Sequence, residues 1–351
     1  MTSPLAVASR PGARRDRPSS PARRRRAVGL AVAVAALAAS AALSIAVGSN
    51  ALSPAEVWHA LTAPTGTLTD QIVLDLRVPR TAAGVVVGVA LGLAGALIHA
   101  FTRNPLGDPG ILGVDAGAAL FVAIGVALGA VSAVQFLPWA FGGALLVTVV
   151  VTAIGGSGRG GPDPARLTLA GVAVGAVLLG ITSAMMLLDP VTFARLRGWS
   201  AGSFVERGWD VILPVVPFVG AGVIVALACA RSLNALGLGD DLATALGTRL
   251  VRTRVLSIVA ITVLAGSATA VAGPVAFVGL MAPHVARWIV GPDQRWILPY
   301  TMVIAPIVML LSDVVGRVAL WPSEVPVGIV TAFVGAPVLI LLVRRARASS
   351  L

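Results

Sequence analysis

Ten apolar runs dominate the chain, at about 27–47, 82–101, 111–131, 134–154, 167–188, 211–230, 255–272, 274–290, 296–316 and 325–343. A helix that crosses a bilayer core of ~30 Å needs ~20 apolar residues. Too little polar chain is left over to cover such runs in water. Of the 351 residues 57% are hydrophobic and 12% charged, whereas roughly a quarter of a soluble domain is charged. The expected fold is an all-α integral membrane protein with about ten transmembrane helices, multi-pass in the cytoplasmic membrane. The scattered glycines and prolines suit close helix packing and broken helices in lipid.

The stretch 255–291 tests that count. As one straight helix it would be ~55 Å long, far beyond the bilayer core. Ala272-Gly273-Pro274 offers a break into two short spans. Charge agrees with the break. With ten spans both termini are cytoplasmic, and most of the 26 arginines fall on that side, as the excess of cytoplasmic basic residues requires. Residues 1–26, ending in Arg23-Arg24-Arg25-Arg26, read as a disordered basic cytoplasmic tail. Beside an apolar run they suit a cytoplasmic anchor better than a nucleic-acid arm. Residues 27–345 form the membrane domain and 346–351 a short C-terminal tail. Between the first two spans, Ser53-Pro54 should cap a short amphipathic helix reaching Leu61.

Several chemistries are excluded. The chain has no lysine, so it carries neither a Walker phosphate-binding lysine nor a Schiff-base lysine. Its one cysteine, Cys229, forms no internal disulfide, and His59, His99 and His284 lie too far apart for a local metal motif. No catalytic residue, metal site or cofactor is expected. No buried row of acids suggests an ion relay, since Asp115 and Asp313 alone fall near the membrane core.

Five segments stand out. Arg77-Val78-Pro79-Arg80 puts two arginines on the side that should be poor in them, either anchoring to lipid or meeting an acidic partner. Asn104–Gly113 is rich in Gly and Pro, a tight turn or a gate. Leu238–Gly247 suits a short surface helix with Asp240 near its N-terminus, solvated or docked to another subunit. Gly273–Arg287 carries His284, a ligand, a relay or a structural side chain. Asp313 and Arg317 can pair at i, i+4, or Arg317 can meet a partner. Beyond them lie Val325–Gly328 and Gly335–Pro337.

In this order and spacing the segments resemble the permease subunits of ATP-binding-cassette importers for iron–siderophore complexes, haem and vitamin B12, over about 51–345. The resemblance implies a permease pair, as two copies or with a sister permease, bound to two separate ATPase subunits and an extracytoplasmic substrate-binding protein. It implies that Arg77, Arg80 and Arg317 dock the binding protein. By the same likeness Leu238, Gly239, Asp240, Ala243, Leu246 and Gly247 couple to the ATPase, and Asn104 and Leu106 stand at the inner gate. Asp163-Pro164-Ala165 is by that likeness a second gate element, and it departs from the hydroxyl residues of the vitamin B12 permease there. The implied cargo is a ferric siderophore, with haem or vitamin B12 as alternatives, and an ion-coupled secondary transporter as the reading from another class. Lipid is an expected partner and nucleic acid is not.

Overall fold

The computed structural model describes residues 20–156 and 163–348. Arg159 and the outer parts of both tails lie outside the described residues. Helices make up nearly all of the described chain, and no strand occurs among the described residues.

The first helix, α1 (Ser20–Ala46), begins before its apolar run, so Arg23–Arg26 form its opening turns instead of belonging to an extended tail. Arginine is a good helix former, and nothing in this stretch interrupts the ladder. Next, α2 (Pro54–Thr62) is the expected amphipathic helix. Ser53 Oγ accepts from the Glu56 N–H and Glu56 returns a bond to the Ser53 N–H, a reciprocal cap.

The second long helix, α3 (Leu68–Thr102), starts well before residue 82. A proline within a helix removes one hydrogen bond and pushes against the preceding turn, and Pro79 lies inside this one. The turn ahead of it widens to π geometry over Ile72–Arg77, and the Val78 N–H reaches the Val73 carbonyl. The helix runs on through Arg77 and Arg80.

A 3-10 turn (Pro109–Leu112) leads into α4 (Val114–Ala127), followed by α5 (Ala133–Gly155), α6 (Pro164–Leu188) and α7 (Pro190–Ser200). The last was not anticipated, since it is too polar to span; Asp189 caps it by accepting from the Val191 and Thr192 N–H groups. Then come α8 (Val216–Leu236), α9 (Asp240–Ala245), α10 (Leu250–Ala272), α11 (Val278–Val290), α12 (Gln294–Ala319) and α13 (Val327–Ala348). Among the described residues seven helices are long and apolar enough to cross a membrane (α1, α3, α5, α6, α8, α10 and α12), and α4, α11 and part of α13 are shorter apolar helices.

The expected break between α10 and α11 is present. Gly273 has φ +76°, and a Cβ there would lie 2.1 Å from the Trp199 carbonyl oxygen. The neighbouring irregular backbone is satisfied by protein: the Ser203 N–H donates to the Ala272 carbonyl at 2.7 Å and the Gly328 N–H to that of Gly202 at 2.9 Å. Non-helical chain at membrane depth is tolerated when it is covered in this way.

At the centre lie α3 and α10, each 78% buried across its most apolar window, whereas α1 and α6 are peripheral at 11% and 17%. Lipid supplies no hydrophobic drive between helices, so close backbone approach must hold them. Gly84, Gly88 and Gly92 of α3 meet Leu310, Pro306 and Ala305 of α12, and Gly95 meets Gly279 of α11. A Cβ on Gly95 would lie 1.8 Å from the Gly279 oxygen, whereas one on Gly142 of α5 would meet nothing within 4 Å.

The two positions should therefore respond with opposite signs. Gly95→Ala is expected to destabilise by about 1–3 kcal/mol or more, and Gly142→Ala to be neutral or stabilising by up to about 1 kcal/mol. Thermal unfolding of both variants in one detergent checks this.

Candidate functional site

The site-bearing residues gather at the two ends of the bundle. At one end α1 stops at Ala46, leaving its last carbonyls without helical partners. Two arginines fill that need. Arg77 Nη1 donates to the carbonyls of Ile45 (2.9 Å) and Ala46 (2.7 Å), and Nη2 donates to that of Asn50. Arg317 Nη1 donates to the carbonyls of Ser44 (2.6 Å) and Val47 (2.9 Å). Cations suit this pole of a helix, where the dipole is negative.

Between these caps lies Asp313. Arg80 donates to it through Nε (3.0 Å) and Nη2 (2.8 Å), and Arg317 through Nε (3.0 Å) and a close Nη2 contact. Arg80 Nη1 also meets Glu324 Oε2 at 2.7 Å. Arg80 and Arg317 thus face two carboxylates while Arg77 and Arg317 hold the end of α1, joining α1, α3, α12 and the turn after α12. The i, i+4 pairing of Asp313 with Arg317 holds as the spacing indicated.

Arg77, Arg80 and Arg317, the three expected docking residues, differ in accessibility. Arg77 and Arg317 are only 5% and 2% exposed, because both are spent on the end of α1. Arg80 and Glu324 are the partly accessible pair, with side chains 14% and 23% exposed.

At the opposite end lies α9. Gly239, at φ +106°, precedes it and Gly247, at φ +79°, follows it. Both are left-handed positions suited to glycine. Asp240 accepts from Arg254 Nη2 at 2.6 Å and, more closely, from Arg103 Nη2. Arg103 Nε also donates to the Leu236 carbonyl at 2.8 Å. Burial pushes the Asp240 carboxyl up, but the hydrogen bond from Arg103 and the charges of Arg254 and Arg103 outweigh it and hold the group below the usual carboxylate range. It is therefore ionised at neutral pH.

With Asp240 fastened behind and Ala243 buried, Leu238, Leu242 and Leu246 face outward at 59%, 57% and 62% exposure. Leu242 and Leu246 stand at i, i+4 on α9 and form one apolar edge. The sequence reading missed Leu242, although that spacing signalled it, and missed Arg103 and Arg254, for which no local signal exists.

The Asn104 side-chain oxygen accepts from the Leu106 N–H at 2.9 Å, and Leu106 is exposed. Asn104, Asp163 and Ala165 share a cavity of about 440 Å³ with Asp240 and Arg254. The fold thus joins three segments far apart in the chain, the two gate candidates and the coupling candidate. Asp115 of α4 accepts from Thr269 Oγ1 of α10 at 2.7 Å, and His284 Nδ1 donates to the Leu280 carbonyl at 2.9 Å. Among the described residues no group of three or more His, Cys, Asp or Glu could hold a metal ion.

The two acids at the α1 end should differ in weight. Asp313→Ala leaves the buried Arg317 without its carboxylate and Arg80 with Glu324 alone, a loss of about 3–5 kcal/mol. Glu324→Gln touches a partly exposed pair and should cost no more than about 1 kcal/mol. Unfolding temperatures of the two variants measure the difference.

The chain is 50% identical over 306 residues to the ferric enterobactin transport system permease protein FepD of Escherichia coli (strain K12), covering 87% of this chain and 91% of that one. A probable siderophore transport system permease protein, YfiZ of Bacillus subtilis (strain 168), is 36% identical over 303 residues, covering 86% and 91%. Among solved structures, an inward-facing metal-chelate type ABC transporter superposes with a TM-score of 0.80 at 26% identity, covering 91% of this chain and 99% of that one. The FecCD transport family model matches residues 36–345, and the chain belongs to that family.

Proposed function

We propose that this chain is the membrane permease of an ATP-driven importer that carries ferric siderophores across the cytoplasmic membrane. The observation that carries the reading within the fold is α9: a short helix held from behind by Arg103 and Arg254, with a leucine edge turned outward. Such an edge suits the groove of a separate ATPase subunit, and its fastening to α3 and α10 gives a push on α9 a path into the bundle. Because Asp240 and Asn104 line one cavity, the same push reaches the gate candidates.

Seven long and three short apolar helices make ten crossings, with the α1 start, α9 and the end of α13 on the cytoplasmic side. The short crossings are completed by covered irregular chain. The binding protein docks at the other end, with Arg80 and Glu324 as the accessible contact and Arg77 and Arg317 as posts that hold it in place. The assembly contains two permease chains, two ATPase subunits and one binding protein. ATP shifts the pair between outward- and inward-facing states by contacts that differ between them. An ion-coupled transporter is less well supported: Asp313 is locked between two arginines and so is not free to carry a proton or cation.

Proteoliposomes holding the permease, its ATPase and its binding protein test the proposal with ferric enterobactin, a ferric hydroxamate, haem and cobalamin. Expected is entry of a ferric siderophore only with ATP on the ATPase side. Entry without ATP would overturn it. Asp240→Arg, which puts a third cation between Arg103 and Arg254, should abolish uptake driven by ATP while the binding protein still docks; a pull-down beside the flux assay reads both.

A further inference from the structure

A second cavity, of about 540 Å³, opens at the α9 end between α3, α8, α11 and the turn before α12. Its wall holds polar groups that neither the coupling nor the gate reading uses. His99 of α3 is 3% exposed, and neither ring nitrogen meets hydrogen-bond geometry with any group, although the Gly107 backbone is near enough to interact with the ring. Gln294 is 6% exposed with its side-chain oxygen unpartnered. Arg287 Nε is buried and likewise unpartnered. No acid among the described residues pairs with Arg287. The only acid on the wall, Asp293, already accepts from Asn234 Nδ2 at 2.6 Å and from the Arg295 N–H at 3.0 Å.

Buried polar groups are nearly always satisfied, and each exception needs an explanation. A half-buried cation without a counter-ion is costlier still. Here three unsatisfied side chains from three elements meet at one cavity. Arg287 and a His99 ring N–H are donors and ask for an oxyanion. The Gln294 oxygen is an acceptor and asks for a hydroxyl. A bare carboxylate or chloride supplies only the first.

We propose that this cavity binds a phosphate group that also carries a hydroxyl, with Arg287 and His99 donating to the phosphate oxygens and Gln294 accepting from the hydroxyl. Inorganic phosphate and a phosphatidylglycerol headgroup share that chemistry. The surroundings suit either. Arg103 lies on the same wall, and the Arg26 guanidinium at the start of α1 reaches Gly291, beside Pro292 of the cavity. His284 packs edge-on against His99, with ring centroids 5.3 Å apart, and holds the imidazole in place.

The full-length permease in a zwitterionic detergent tests this. Binding is read by thermal unfolding and native mass spectrometry, with phosphate against chloride at equal ionic strength and phosphatidylglycerol against phosphatidylcholine. Expected is preferential binding of phosphate, of phosphatidylglycerol or of both. Phosphate alone marks a soluble anion as occupant, and the lipid alone marks a headgroup. Losing the charged partner in Arg287→Gln should weaken binding roughly tenfold or more, and His99→Phe and Gln294→Leu should each weaken it. Arg197→Gln, which removes an equal charge on α7, should not. The proposal fails if wild type prefers neither ligand over its control, or if His99→Phe and Gln294→Leu bind as wild type does. It also fails if Arg197→Gln loses as much as Arg287→Gln. The wild-type comparison stands even if a variant fails to fold.

Discussion

In lipid, one apolar helix gains nothing by exchanging acyl chains for another apolar helix. What holds this bundle is how closely backbones approach along α3. Its glycine face lies against Ala305, Pro306 and Leu310 of α12 and against Gly279 of α11. With those backbones in contact α3 becomes central, and both functional ends take their positions from it. Arg77 and Arg80 sit near its start and Arg103 just past its end, so one rigid element connects the docking candidates with the coupling candidate.

Charge is used differently at the two ends. Where α1 stops, arginines are consumed within the protein: Arg77 and Arg317 cap its carbonyls, and Asp313 neutralises Arg80 and Arg317 together. Burying several charges is tolerable only when each is paired or hydrogen-bonded, and here each is. At the α9 end the pairing is incomplete. Asp240 answers Arg103 and Arg254, whereas Arg287, His99 and Gln294 converge on a cavity with unmet hydrogen-bonding capacity. One end is closed on itself and the other is open to a ligand.

Much of the fold was legible because it rests on local chemistry. The Ser53 cap, the Gly273-Pro274 break, the Asp313–Arg317 pair and the Gly-flanked α9 each depend on residues within about one or two turns of one another. Errors arose where a local rule was overridden. The second apolar run was read from about residue 82, but its helix begins at Leu68, with a π turn accommodating Pro79. Arg77 and Arg317 carry charge at the rim of apolar runs and so read as exposed, yet the carbonyls that bury them belong to residues 27 or more positions away in the chain. The polar α7 was missed because hydropathy finds apolar helices of bilayer length, and this helix is short and polar.

The sequence by itself determined the class of molecule: apolar runs of bilayer length leave the backbone no choice but helix, and the absence of lysine removes any Walker motif of its own. It also determined where the chain must turn and which short helix stands apart. Only the tertiary structure decided which charges are spent inside and which remain. That depends on which helix ends are neighbours, and neighbours are chosen by packing across the whole chain. Asp240 finds Arg103 across 137 residues and Arg80 finds Asp313 across 233. No spacing rule reaches that far, because the contact exists only once the helices have closed on α3.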